Sequence, residues 1–498
     1  MSQLPEIAIE GTLNQGQREV LDAWMNTNDN IFCTGHGGTG KSWLLQCICK
    51  KIRDQPADTR PVLAITAPTG AAAFNIGGIT INRFAGIGIE TEDLGNMIKR
   101  ASSARAAKVW KKTDILIIDE VSMISGVFFS NLDQVAQTVR GSYEPFGGIR
   151  LLILGDFLQL PPISKFNFRP FRAFECQAWK NCKMRTFLLT ETVRQTDTTF
   201  TGILGHIRMG LCTNEVNSYI SALSRPIAYD DSIEPVKLFA LRKLVDEYNS
   251  RRLNAIKETS HEFQSVDSGA PGALAQCPAP QVLCLKTGAQ VMLIRNLSSS
   301  LVNGTIGVVK DFVQTERSRL PIVDVVDGHG STREIIVMPE TWESVGPQDS
   351  IVAKRTQIPL ILAWAITIHK AQGKSIPRLF VDISGVFEVG QAYVALSRCE
   401  SPDTLQVVNY SPDLVKADSK CVEFYNELSH LADLADQPSS SSMPNDHNEP
   451  EITDDIATSV AINTTGSHEL WGQETVDTQL MLGRLSIMQD HEKLETLH

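Results

Sequence analysis

No run of about 18 or more apolar residues occurs in the 498 residues, so no membrane-spanning helix is expected. The opening stretch MSQLPEIAIE has no basic region leading into an apolar core, so it does not read as a secretory signal. It also contains no arginine, which argues against a mitochondrial presequence. The ten cysteines form no Cys-x-x-Cys pair and no Cys/His block with zinc spacing. Scattered buried thiols in a reducing compartment are the expectation. Positive charge is scarce as well. The net charge is −11, with twelve acidic and two basic residues from Asp436 onward, which leaves the preceding chain near neutral. A near-neutral body can still carry a basic groove, so charge neither supports nor excludes a nucleic-acid partner.

The length implies roughly two to four domains. Short apolar runs at 30–34, 62–66, 115–118 and 151–154 each end in a loop with Gly, Pro, Asp or Glu. This is the pattern of parallel strands buried on both faces, with ligands at their carboxyl ends. The expected fold is α/β. A first α/β domain spans 1–195 and carries a small wedge-like insert at about 76–105. A second comprises 196–285 and 352–435, interrupted by a small β-rich, barrel-like insert at 286–351. The acidic segment 436–498 is rich in Ser, Thr, Asp, Glu and Asn and is expected to be disordered.

The strongest motif is GHGGTGKS, Gly35 to Ser42, between a strand and a helix-like run. Its glycines and small residues (Gly35, Gly37, Gly38, Thr39, Gly40) let backbone N–H groups wrap phosphates. Lys41 reaches the β- and γ-phosphates of ATP, and the Ser42 hydroxyl ligates Mg²⁺. ILIIDEVSM ends a strand in Asp119, which holds the Mg²⁺, and Glu120, which polarises the attacking water. GDFLQLPP places Gln159 at the end of another strand, where a glutamine can sense the γ-phosphate. Transfer also needs cationic charge on that phosphate, and Arg194 and Arg398 are the candidates.

In order, these blocks are GHGGTGKS, TAPTGAAA, IIDEVSM, GDFLQLPP, TVRQTD, ILAWAITIHKAQGKS and GQAYVALSR. Together they resemble superfamily-one helicases. FGGIRLLI (146–153), with Asp133 and Arg140 upstream, resembles the signature of the Pif (petite integration frequency) family of 5′-to-3′ DNA helicases; 285–309 is similar to it too. The resemblance covers roughly 11–430. It implies two RecA-like P-loop domains stacked around ATP, with single-stranded or forked DNA as partner and no membrane. It makes Gln17 the reader of adenine and Arg194 and Arg398 the arginine fingers. It turns Pro68, Thr69, Phe84, Thr367, His369 and Lys370 toward DNA. One departure is the run GGITINRFAGIG, where the family shows a His-Ser-Phe type sequence. Phe84 is left to stack on a base, and contacts at 82 and 83 are not carried over. The nucleus is the expected compartment, with the mitochondrion as the alternative, and genome maintenance is the expected role. The acidic tail is a candidate site for a protein partner. An RNA helicase of the same superfamily and a P-loop ATPase that remodels protein are the competing readings. The second does not account for the ITIHKAQGKS and QAYVALSR blocks.

Overall fold

The computed structural model describes residues 13–435 except for 88–92, 163–168, 170, 230–232, 275–276, 299–300, 316–318, 327–331 and 346–350. The acidic segment 436–498, expected to be disordered, lies outside the described residues.

The first sheet has strands β1 (Ile31–Gly35), β2 (Leu63–Ala67), β3 (Ile79–Thr80), β4 (Ile115–Ile118), β5 (Arg150–Gly155) and β6 (Arg185–Leu189). Their order is β3-β2-β4-β5-β1-β6, and every pairing is parallel. Successive side chains of a strand alternate between faces, and here each face meets its own core. Phe32, Leu116, Ile118, Leu151 and Ile153 enter one cluster. Ile31, Cys33, Ile115, Ile117, Leu152 and Leu154 enter the other. Helices cover both clusters, which is why these strands read as unbroken apolar runs.

A second parallel sheet holds β7 (Val236–Phe239), and the chain then leaves it for an all-β excursion. That excursion contains β8 (His261–Gln264), β9 (Val266–Gly269), β10 (Val282–Leu285), β11 (Gln290–Leu293) and β12 (Ile306–Gln314). It continues with β13 (Arg319–Val326), β14 (Thr332–Ile336), β15 (Glu340–Val345), β16 (Ile351–Gln357) and β17 (Leu360–Leu362). It forms a five-stranded sheet β14-β13-β12-β11-β17, a three-stranded sheet β15-β16-β9 and the pair β10-β8. The chain then returns to the second sheet with β18 (Ala365–Thr367), β19 (Leu379–Asp382) and β20 (Leu405–Val408), in the order β18-β7-β19-β20.

Two features differ from the sequence-based expectation. The β-rich insert was expected at 286–351, but strands run from His261 to Leu362. β8 and β9 are short and polar, with the exposed run VDSG in β9, so they lack the apolar alternation that marks a strand. The helix Ser419–Ala435 was expected with the second domain, but Cys421, Tyr425 and Leu428 join the core of the first sheet. Phe424 stacks on Phe174 at 4.4 Å between ring centroids. Asp418, just before this helix, accepts hydrogen bonds from buried Arg172 at 3.1 Å and from Arg169 at 2.9 Å. An amphipathic pattern says that a helix has a buried face, but not which core receives it.

Candidate active site

The phosphate loop leaves β1, a strand flanked on both sides by β5 and β6, and feeds the helix Lys41–Arg53. That helix has no side-chain N-cap. Its first amides face the loop, which suits an anion at a helix N-terminus. Gly40 starts it at φ 78°, and a side chain there would run into the Gln17 amide. Lys41 is folded back over the loop. Its Nζ donates to the carbonyls of Gly35 at 2.6 Å and His36 at 3.0 Å. Burial pulls its ammonium below the ordinary range, opposed by the carboxylates of Asp156 and Glu120.

Gln17 lies beside this loop and is buried. Its Oε1 accepts from the Asn14 N–H at 3.1 Å and its Nε2 donates to the Thr39 carbonyl at 3.0 Å. The expected adenine reader is therefore a brace of the P-loop in this conformation, tied into the capping box of the helix Gln15–Asn26.

Asp119 and Glu120 follow β4. Asp119 is buried and receives the Glu120 N–H at 2.9 Å. Burial and neighbouring Glu120 raise its carboxyl above the ordinary range, while Lys41 and a hydrogen bond from Ser42 lower it. Ser42 and Asp119 thus stand together. A hydroxyl beside a carboxylate is the hard-oxygen donor set that Mg²⁺ takes in P-loop sites.

Gln159 stands past the end of β5 with its amide donating to Asp156 at 3.2 Å. Asp156 is fully buried and paired with Arg208, which donates from Nη2 at 2.8 Å and Nε at 3.1 Å. The segment ahead of β5 is fixed by the two residues singled out in the sequence. Asp133 accepts the Phe146 N–H at 2.6 Å, and Arg140 donates to the carbonyls of Gly147 at 2.6 Å and Thr113 at 3.0 Å. The signature residues therefore set the path of the chain into the strand that carries Asp156 and Gln159.

Both candidate arginines lie where the two sheets meet. Arg398 is almost fully buried, with its guanidinium against Gly37 of the phosphate loop. Its Nε donates to the Val394 carbonyl at 2.8 Å and its Nη2 to Ser397 Oγ at 2.7 Å. Burial, and then the charge of Arg194, pull it down to about 9. Arg194 donates to Ser375 Oγ at 2.9 Å and to the Ser397 carbonyl at 3.0 Å. Two cations, Arg398 buried and Arg194 half-buried, converge on a loop built for phosphate, a like-charge arrangement that a polyanion relieves.

Several participants were not singled out in the sequence. Tyr393, in the helix Gln391–Leu396, accepts the Gly37 N–H at 2.7 Å. Gln195 donates to the carbonyls of Ser397 at 3.2 Å and Cys399 at 2.9 Å. Tyr425 bonds Thr34 at 2.6 Å and accepts the Phe157 N–H at 3.0 Å. Their neighbours in sequence gave a signal only for Tyr393 and Gln195, which sit inside the motif blocks of the two arginines.

The residues expected to face DNA fall into two groups. Pro68 and Thr69 lie in the loop after β2, and the Thr69 hydroxyl accepts the Ala72 N–H at 3.2 Å. Thr367 caps the short helix Ile368–Ala371 by accepting the Lys370 N–H at 3.1 Å. His369 is 3.9 Å from Glu388, and burial lowers its pKa. Lys370 is also lowered, first by burial and then by Arg242. Phe84 requires a correction. It is 2% exposed and packs edge-on against Trp110 at 4.7 Å, whose indole N–H donates to the Ala85 carbonyl at 3.1 Å. A ring in that position is core and is not available to stack on a base.

Comparison with known proteins agrees with this geometry. The PIF1-like helicase model matches residues 12–217, and the model of the 2B domain of DNA helicase Pif1 matches residues 273–312, within the β-rich excursion. ATP-dependent DNA helicase PIF1 of Emericella nidulans is 37% identical over 471 residues, covering 84% of this chain and 63% of the relative. ATP-dependent DNA helicase RRM3 of Saccharomyces cerevisiae is 33% identical over 494 residues, covering 84% of this chain and 68% of the relative. The chain thus spans about two thirds of the length of these relatives. The crystal structure of Pif1 helicase from Candida albicans shares 40% identity, with a TM-score of 0.69, over 84% of this chain and 99% of that one. Pif1 from Bacteroides, solved in complex with ADP-AlF3 and ssDNA, shares 27% identity with a TM-score of 0.59, over 84% and 97%. This chain belongs to the PIF1-like helicase family.

Proposed function

We propose that this chain is an ATP-dependent DNA helicase that moves 5′ to 3′ along a single strand and separates duplex or structured DNA in genome maintenance. The observation that carries the reading is the seating of Arg398, from beside the second sheet, against Gly37 of the phosphate loop on the first. A cleft whose two sides supply complementary halves of one phosphoryl-transfer site changes its closure with the state of the nucleotide. The relatives named as ATP-dependent DNA helicases, and the Bacteroides neighbour solved with a nucleotide analogue and ssDNA, support the same reading.

In this account Lys41 leaves the Gly35 and His36 carbonyls for the β- and γ-phosphates, and Gln17 meets the adenine. Ser42 and Asp119 would hold Mg²⁺, which when bound supplies charge neutralisation on the phosphate oxygens. Glu120 takes the proton of the attacking water, Gln159 meets the γ-phosphate, and Arg194 and Arg398 stabilise the charge that builds during transfer. Pro68, Thr69, Thr367, His369 and Lys370 contact the strand, with backbone contacts that tolerate any sequence. The test is ATP hydrolysis with and without single-stranded DNA in the intact chain and in Lys41→Ala. Stimulation by DNA in the former and none in the latter is expected. Hydrolysis indifferent to DNA contradicts the reading.

A further inference from the structure

Gln372 makes a contact across the cleft that the motif roles leave unassigned. It follows the helix Ile368–Ala371, and Gly373 next to it adopts φ 74°, a left-handed turn where an added Cβ would lie 3.8 Å from Glu120 Oε1. Gln372 Nε2 donates to Oε2 of Glu120 at 2.9 Å. Glu120 itself sits at φ 53°, ψ 44°, uncommon for a residue with a side chain and frequent at functional sites. The other end of the same amide, Gln372 Oε1, is buried and has no hydrogen-bond partner. Buried amide oxygens ordinarily have a donor. This one lies beside the carboxylate expected to activate water.

The turn that carries Gln372 is fixed on several sides. Ser375 accepts from Arg194 Nε at 2.9 Å. Lys374 donates to Asn303 of the β-rich excursion, whose Nδ2 donates in turn to Asn75 Oδ1 at 2.9 Å. The turn is therefore tied to Arg194 and to the β-rich excursion, and the Gln372 amide to Glu120. Gln159, the glutamine expected to sense the γ-phosphate, has its amide turned to Asp156.

We propose that Gln372 is a second water-orienting residue for ATP hydrolysis, its Nε2 aiming the Glu120 carboxylate and its Oε1 accepting one O–H of the attacking water. The inference rests on the helicase reading above. In the step, the water oxygen bonds to the γ-phosphorus and its other proton passes to Glu120. The bond from that phosphorus to the β,γ-bridging oxygen breaks, and its electron pair leaves with ADP. With both O–H groups held, the lone pair of the water has one direction left, and misplacing it costs rate rather than binding.

The test measures DNA-stimulated ATP hydrolysis and single-strand affinity in the intact chain, in Gln372→Ala, in Glu120→Gln and in the double variant. Gln372→Ala is expected to lower kcat on the order of 10²-fold while KM for ATP and Kd for single-stranded DNA stay as in the parent. Retained DNA binding also certifies that the variant is folded. The double variant is expected to be no slower than Glu120→Gln alone, because the two residues act on one water. Parental kcat in Gln372→Ala overturns the proposal. So does a loss seen only as weaker DNA binding, or multiplicative losses in the double variant. If the parent shows no DNA-stimulated hydrolysis at all, the helicase reading itself fails first.

Discussion

The Tyr393 hydroxyl accepts the backbone N–H of Gly37 at 2.7 Å, so a side chain from beside the second sheet holds a phosphate-loop amide. Burial pushes the Tyr393 phenol up to about 12, so it stays protonated and neutral. An amide of this loop is the kind of donor that a phosphate oxygen takes. Tyr393 therefore competes with nucleotide for it. Tyr393→Phe removes the competitor without removing the ring. The expected result is ADP and ATP binding tighter by up to about tenfold, the worth of one net hydrogen bond. Titration of a fluorescent nucleotide measures it, and weaker binding contradicts this role.

Arg398 makes its hydrogen bonds within its own turn, to the Val394 carbonyl and Ser397 Oγ, and keeps its charge for the cleft. Arg398→Ala is expected to lower the turnover of ATP on the order of 10³-fold, as loss of an arginine finger does. Arg398→Lys is expected to restore little, because an ammonium lacks the planar fork. Steady-state hydrolysis at saturating DNA decides this, and a variant with parental turnover would remove Arg398 from the transition state.

The seating of Phe84 against Trp110 makes a stability prediction where the sequence suggested a binding one. Phe84→Ala is expected to cost about 3–5 kcal/mol of stability. Chemical denaturation measures it, and single-strand affinity per folded molecule is expected to stay at the parental value. A selective loss of DNA affinity with stability unchanged would return Phe84 to the DNA-contact group.

Asp418 ties the helix Ser419–Ala435 to the first sheet through buried Arg172. Burial raises the Asp418 carboxyl, but the Arg172 and Arg169 guanidiniums outweigh it, and the pKa falls below the ordinary value. A carboxylate depressed on folding adds stability above its unfolded pKa and loses it as pH falls through the folded value. Asp418→Ala is expected to destabilise at neutral pH by about 3–5 kcal/mol, since it leaves a buried guanidinium unpaired. The difference between variant and parent is expected to shrink as the pH is lowered below the carboxylate range. Thermal melts across pH check both statements, and a pH-independent difference contradicts the second.

The sequence was most informative where chemistry and periodicity coincide. Strand β4 was read at its observed bounds, 115–118, and β1, β2 and β5 within one residue at each end, because parallel strands covered on both faces are short apolar runs. The phosphate loop, Asp119, Glu120 and both arginines are in motif blocks that the fold brings to one cleft. Three things were hidden. The polar strands β8 and β9 have no apolar alternation to betray them. The destination of the helix Ser419–Ala435 depends on which core it meets in space. Phe84 lies in a segment that departs from the family pattern, and only its packing against Trp110 tells a buried ring from an exposed one. Gln17, Gln159 and Lys41 were placed at the site by sequence, but their hydrogen-bond partners in this conformation were not legible, since a motif gives the residue type and not the direction in which a long polar side chain turns.

Strand displacement on forked DNA carrying a single 5′ tail or a single 3′ tail, with ATP and Mg²⁺, decides whether the chain is a 5′-to-3′ motor. Unwinding from the 5′ tail only, abolished by Lys41→Ala, is the expected result. Unwinding from the 3′ tail only, or displacement that survives Lys41→Ala, would contradict it.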